Sequence, residues 1–184
     1  MTELGMLAEQ IGVNERTLRR AVNEGTLRAV RPTPRTLRMS LTERDYARRK
    51  WALLSNLKAT LRTEPNVRFA LLFGSMATGA DTSESDVDML VDLRDSSFAR
   101  VVDLATKLEQ ALGRHVDLVV LRETEGEPAF LARMVAEGRV LVDREDVWPR
   151  LHGSEASLRR RGSRQEAKRL RAALAGIDRL LARA

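Results

Sequence analysis

The sequence predicts an α+β fold: short strands with flanking helices, a small helix-turn-helix ahead of them, and a basic helix behind them. Three observations predict this. Short apolar runs at 69–73, 87–93, 116–121 and 140–142 alternate with segments of helical periodicity. Within 71–93 the chain reads LLFGSMATGADTSESDVDMLVDL, an apolar strand, a small-residue turn and a second strand bearing two acids. Charge is segregated: residues 1–64 hold 13 basic and 7 acidic residues, 65–148 hold 9 and 16, and 149–184 hold 10 and 3. An acidic middle between basic ends argues for separate jobs, and the basic ends are candidates for nucleic acid or an acidic partner.

At the amino terminus Leu4, Leu7, Ala8 and Ile11 have helical spacing, and Gly12-Val13 interrupts it. Asn14 is suited to cap a second helix over 15–22 that carries Arg16, Thr17, Arg19 and Arg20. The stretch LAEQIGVNERTLRRAVNEGTLRA resembles the winged helix-turn-helix of MerR-type and excisionase-type regulators. That resemblance implies a DNA-binding segment over residues 1–41, with Arg16, Thr17, Arg19 and Arg20 on the recognition helix. Arg31, Arg35 and Arg38, around Pro32 and Pro34, would form the wing on the DNA backbone. The plainer reading is a small helical cap with solvated arginines. Thr42 is placed to cap a connecting helix over 42–64, ended by Glu64-Pro65, whose stripe is Leu53, Leu54, Leu57 and Leu61. Trp51 at this spacing belongs to the core and not to a base-stacking platform.

Residues 65–148 then read strand, turn, strand, a helix over 97–112, strand, a helix over 128–137 and a short strand. Ser96-Ser97 can cap the first of these helices and Gly113 ends it. Asp86 and Asp88 point to the same face of their strand, because Val87 between them points to the other. Their Cα atoms are roughly 6.7 Å apart, and carboxylates brought to about 4 Å repel by about 4 kcal/mol at an effective dielectric near 20. A hard divalent cation removes that penalty, and Mg²⁺ takes carboxylate, phosphate and water oxygens. Gly74 lets backbone approach a ligand, and Ser75 offers a hydroxyl and an N–H to phosphate.

Gly74-Ser75, ten residues, then Ser85-Asp86-Val87-Asp88 resembles the signature of DNA polymerase β-like nucleotidyltransferases, above all the bacterial minimal nucleotidyltransferases. Asp117, in Arg114-His115-Val116-Asp117-Leu118-Val119-Val120-Leu121, matches the family's third carboxylate. The resemblance covers about residues 66–143. It implies a mixed sheet with flanking helices, that Asp86, Asp88 and Asp117 are the catalytic and Mg²⁺-binding acids, that Gly74 and Ser75 position the phosphates, and that ATP or another nucleoside triphosphate is the substrate. One departure stands out: where the family commonly has an arginine after Gly-Ser, this chain has Met76-Ala77-Thr78-Gly79. Asp81 and Glu84 read as solvated loop acids, Asp92 as a surface or turn residue, and His115 and His152 as structural or exposed.

Beyond Trp148-Pro149, HGSEASLRRRGSR reads as a basic linker within 149–184, followed by a helix about 30 Å long with Ala167, Leu170, Leu174, Ile177, Leu181 and Ala184 in a two-heptad seam. That seam either packs on the transferase segment or forms a homodimer or partner contact. No apolar run reaches the ~20 residues of a membrane span, and a cytoplasmic protein is expected. The absence of cysteine excludes disulfides, thiolate catalysis and cysteine-ligated zinc.

Three functions follow. The resemblance implies an antitoxin, paired with a helical HEPN ribonuclease toxin, that transfers AMP from ATP to a toxin tyrosine and represses its own operator DNA. The second reading is a DNA-binding regulator with a retired transferase fold, and the third a small-molecule, antibiotic-modifying nucleotidyltransferase.

Overall fold

The computed structural model describes residues 2–33 and 36–181, with side chains to residue 174. Helix α1 (Glu3–Gln10) starts at Thr2, whose hydroxyl accepts from Gly5 N, and α2 (Glu15–Asn23) at Asn14, whose side chain accepts from Thr17 N. A hairpin follows, β1 (Val30–Thr33) antiparallel to β2 (Thr36–Arg38). Helix α3 (Leu41–Arg62) is capped by Ser40, which accepts from Glu43 N, and not by Thr42. Ser40 lies three residues before Glu43, the spacing at which a hydroxyl reaches an N3 amide.

The sheet runs in the order β5-β4-β3-β6. Strand β3 (Val67–Leu72) is antiparallel to both β4 (Val87–Leu93) and β6 (Arg139–Asp143), and β4 is parallel to β5 (Val116–Val120). A five-residue helix, α4 (Gly74–Thr78), occupies the turn after β3. Helix α5 (Phe98–Leu112) makes the crossover between the parallel strands. Its cap position is Ser97, but the Ser97 side chain makes no capping bond; the Asp95 carboxylate accepts from Ser97 N at 2.9 Å. A 3₁₀ turn (Leu121–Thr124) leads to α6 (Pro128–Glu137), which has proline in its first turn.

Period-two alternation divides the core into two layers. Ala70, Leu72, Val87, Met89 and Val91 pack with Leu54, Leu57 and Leu61 of α3 and Leu104 and Leu108 of α5. Phe69, Leu71 and Leu90 face the other way, toward Leu131, Met134 and Val135 of α6. Residues of the same parity as Leu90 therefore lie on the α6 side of the sheet, Asp88 among them.

Helix α7 (Val147–Leu181) overturns the expected linker, since 149–163 is continuous helix. The Asp143 carboxylate accepts from Val147 N and Trp148 N, starting the helix, and Pro149 falls in the first turn, where its missing N–H costs nothing. Thirty-five residues span about 52 Å at 1.5 Å each. Gly162 is a packing residue: a Cβ there would lie 2.7 Å from Ala129 Cα, so its absence lets α7 lie close against α6. Leu158 is buried at the same contact. Downstream, Ala167, Leu170 and Leu174 are exposed, so this part of the seam does not pack on the sheet domain. The Ile177 and Leu181 side chains, and Ala184, lie outside the described residues.

A buried polar cluster fixes the amino-terminal elements to the sheet. Arg139, 2% exposed, reaches both carboxylate oxygens of Glu43 at 2.6 and 2.9 Å, the Ala77 carbonyl at 2.6 Å and the Thr26 carbonyl at 3.3 Å. Its guanidinium stacks 3.4 Å from the Tyr46 ring centroid, and Tyr46 OH donates to Met76 O at 3.1 Å. Two consecutive carbonyls of α4 are thereby held from below. The Thr26 hydroxyl donates to Val140 O, and Val140 N donates to Gly25 O, covering the free edge of β6. Among the described residues no helix is long and apolar enough to cross a membrane.

Candidate functional site

The first landmark is the end of β3, where the chain must reverse over Asp88. Gly74 adopts φ +70°, and a Cβ there would sit 2.3 Å from Asp88 Oδ2, so both the backbone angle and the space call for glycine. Phe73 N donates to Asp88 O at 3.0 Å, holding the turn against β4. Ser75 follows at the start of α4, and its carbonyl accepts from Gly79 N and Ala80 N.

Asp88 and Asp117 are direct partners in the parallel β4–β5 ladder, which places their side chains on one face with strands about 4.8 Å apart. Asp86, exposed, immediately precedes β4, and Val87 N donates to His115 O at 3.0 Å, fastening the two strand starts together. Partial burial pushes the Asp88 carboxyl above the usual range, and the charges of Asp117 and then Asp86 push the same way. Asp88 thus sits in the field of the other two acids.

Several contacts were not legible in the sequence. The His115 ring bridges Glu109 (Nδ1 to Oε1, 2.5 Å) and Asp117 (Nε2 to Oδ1, 3.2 Å), orienting the exposed Asp117 carboxylate. The hydrogen bond to Glu109 is the main cause raising the His115 pKa. Their shared parity on the strand is the signal: residues 115 and 117 point the same way. Arg114 donates to the carbonyls of Thr82 and Ser85, tying down the loop before Asp86. Asp81 is not a solvated loop acid; it is almost buried and ion-paired with Lys50. Asp92 pairs with Arg68 at 2.6 Å.

In the turn, Met76 and Ala77 are buried and Thr78 is exposed, so 76–78 present no cation to a ligand. A cavity of about 560 Å³ opens there, lined by Gly74, Ser75, Thr78 and Asp88 and, from α6, by Phe130, Arg133 and Glu137. Among the described residues, no group of three or more His, Cys, Asp or Glu is arranged to hold a metal ion.

The amino-terminal candidates divide. Arg16 and Arg38 are exposed. Arg19 is paired with Glu15, Arg20 with Glu24 at 2.6 Å, and the Thr17 hydroxyl donates to Asn14 Oδ1 at 3.0 Å. Arg31 bonds Asn23. Arg20 also lines a cleft of about 380 Å³ with Lys58, Arg62 and Trp148, away from the three acids. Arg35 lies outside the described residues.

A mixed sheet that presents acids from adjacent strands beside a Gly-Ser turn is the architecture of a nucleotidyl-transferring enzyme. The chain belongs to the polymerase β nucleotidyltransferase family, whose model matches residues 55–147. It is 37% identical over 93 residues to a Methanocaldococcus jannaschii protein provisionally named a protein adenylyltransferase, a match covering 49% of this chain and 91% of the relative. It is 39% identical over 70 residues to the protein adenylyltransferase MntA of Thermococcus cleftensis, covering 38% and 71%. Among solved structures it is similar to a mutant form of the toxin-antitoxin MntA-HpeT, with a TM-score of 0.50 and 25% identity over 70% of this chain and 98% of that one. The family match begins at residue 55, so α1, α2 and the hairpin lie outside it.

Proposed function

We propose that this chain is a Mg²⁺-dependent protein adenylyltransferase, the antitoxin of a HEPN toxin, which transfers AMP from ATP to a tyrosine hydroxyl of that toxin. The observation that carries the reading is the cross-strand pairing of Asp88 with Asp117 beside the Gly74-Ser75 turn. Two relatives named as protein adenylyltransferases, and a structural neighbour that is a toxin-antitoxin, support it.

The donor set fits a hard cation. Asp88 and Asp117 are cross-strand partners with Asp86 just ahead of β4, and the repulsion felt at Asp88 is relieved by divalent charge. Asp86, Asp88 and Asp117 would hold Mg²⁺, which when bound neutralises charge on the triphosphate and the leaving pyrophosphate. Gly74 and Ser75 offer backbone and hydroxyl donors to the β- and γ-phosphates. The acceptor oxygen attacks the α-phosphorus, the bond from that phosphorus to the bridging oxygen breaks, and pyrophosphate carries away the electron pair. Asp117, exposed and oriented by His115, takes the hydroxyl proton.

The amino-terminal elements suit operator binding, through Arg16, Arg38 and the rest of α2 and the hairpin, so that the antitoxin represses its own operon. Steep weakening with salt and loss of binding on removal of residues 1–38 are the expected results. A second reading, a regulator whose transferase site is retired, is favoured by the absence of a cation at 76–78.

One experiment separates the two: incubation with α-labelled ATP, Mg²⁺ and the product of the neighbouring gene. Label on that product that disappears in Asp86→Ala/Asp88→Ala supports the transferase. No label with any of the four nucleotides, together with specific DNA binding, would leave the regulator as the better account.

A further inference from the structure

The cavity beside Asp88 has an electrostatic gap. A nucleoside triphosphate brings several negative charges to a wall that already carries the Asp88 and Glu137 carboxylates. The turn can supply only neutral donors, because Met76 and Ala77 are buried and Thr78 is uncharged. Helix α4, with five residues, is too short to add a substantial dipole. Among the described residues that line this cavity, one is basic: Arg133 of α6.

Its placement is defined by packing. Phe130 meets Phe73 edge-on, with ring centroids 6.0 Å apart and planes at 89°, which fixes the Phe130 ring against the end of β3. The Arg133 guanidinium lies over that ring, 5.7 Å from its centroid. A guanidinium resting on an aromatic face keeps its N–H edge open to solvent, the edge that forms paired bonds to phosphate oxygens. Arg133 is exposed, so a ligand can reach it.

We propose that Arg133 binds the terminal phosphates of the nucleoside triphosphate, supplying from α6 the positive charge that the Gly74-Ser75 turn lacks. This rests on the nucleotide-transfer reading above. Phosphate selectivity of the site is then set by a residue some sixty positions from the Gly-Ser turn, on the helix that packs over the Asp88 side of the sheet.

The test compares calorimetric binding of a non-hydrolysable ATP analogue and of AMP, each with Mg²⁺, to the full chain and to Arg133→Ala and Arg133→Lys. The expected result is roughly tenfold weaker binding of the ATP analogue by Arg133→Ala, little change for AMP, partial recovery in Arg133→Lys, and an unchanged melting temperature. Wild-type binding of the ATP analogue with no loss in Arg133→Ala would overturn the assignment and leave nucleotide transfer standing. Equal weakening toward ATP analogue and AMP, with a lowered melting temperature, would make Arg133 a structural residue instead. Absence of nucleotide binding by the wild-type chain would overturn the transfer reading itself, and this proposal with it.

Discussion

Two charged clusters sit on either side of the same short turn, and they are built in opposite ways. Below α4, Arg139 and Glu43 are of opposite sign and buried, and four hydrogen bonds from the Arg139 guanidinium end on protein oxygens. Glu43 Oε1 also accepts from Arg28 N at 2.9 Å. Above the turn, Asp86, Asp88 and Asp117 have like sign, and Asp86 and Asp117 are open to solvent. Burial and neighbouring charge raise the Asp88 carboxyl instead of relieving it. A closed cluster contributes to holding the fold in one arrangement. An open one keeps unspent attraction for a cation and an anionic substrate, at some cost to the free protein.

Breaking the closed cluster has the largest expected effect. Arg139→Ala leaves Glu43 as an uncompensated buried carboxylate and frees the Ala77 carbonyl, for a loss of about 3–5 kcal/mol. Thermal or urea unfolding reads this directly, and a loss under about 1 kcal/mol would mean that the cluster does not hold the amino-terminal elements to the sheet. The open cluster should respond in the reverse sense. Asp88→Asn keeps the shape and removes one of three like charges, so the melting temperature should hold or rise. Nucleotide transfer should fall at least about 100-fold, equivalent to about 2.7 kcal/mol of transition-state stabilisation. A variant that is both inactive and markedly unstable would show that Asp88 belongs to the scaffold, and the contrast between the clusters would fail.

The open cluster was legible in the sequence and the closed one was not, for a physical reason. Asp86 and Asp88 declare their shared face through strand parity, Gly74-Ser75 sits within fifteen residues of both, and Asp117 comes from the resemblance of its strand to the family's third acidic strand, so short motifs suffice. Strand 87–93 and helix 128–137 could be bounded for the same reason. Arg139 gives no such sign. A charged residue at a strand start reads as an edge, and its partner Glu43 is 96 positions away, so only the tertiary fold shows that the guanidinium is satisfied and buried. Arg133 is hidden similarly, since nothing in PAFLARMVAE places its side chain in the cavity that Ser75 lines. The Ser40 cap was readable from Ser40-Leu41-Thr42-Glu43, in which the serine has the better spacing to Glu43.

The segment at 149–163 fails differently, because composition pointed away from the structure, and its glycines sharpen the comparison at the smallest scale. Gly-Ser pairs at 153–154 and 162–163 suggest a flexible connection, yet both lie within α7. The two glycines occupy unlike sites. A Cβ at Gly153 would meet nothing within 4 Å, whereas one at Gly162 would press on Ala129 backbone at 2.7–2.8 Å. Gly153→Ala should therefore stabilise by up to about 1 kcal/mol, the helix propensity difference. Gly162→Ala should destabilise by about 1–3 kcal/mol, because α7 must move off α6. A linker would give two near-zero changes in unfolding free energy. Opposite signs would show that the second glycine is kept for helix contact, with α7 and α6 packed as one unit behind the wall that carries Arg133.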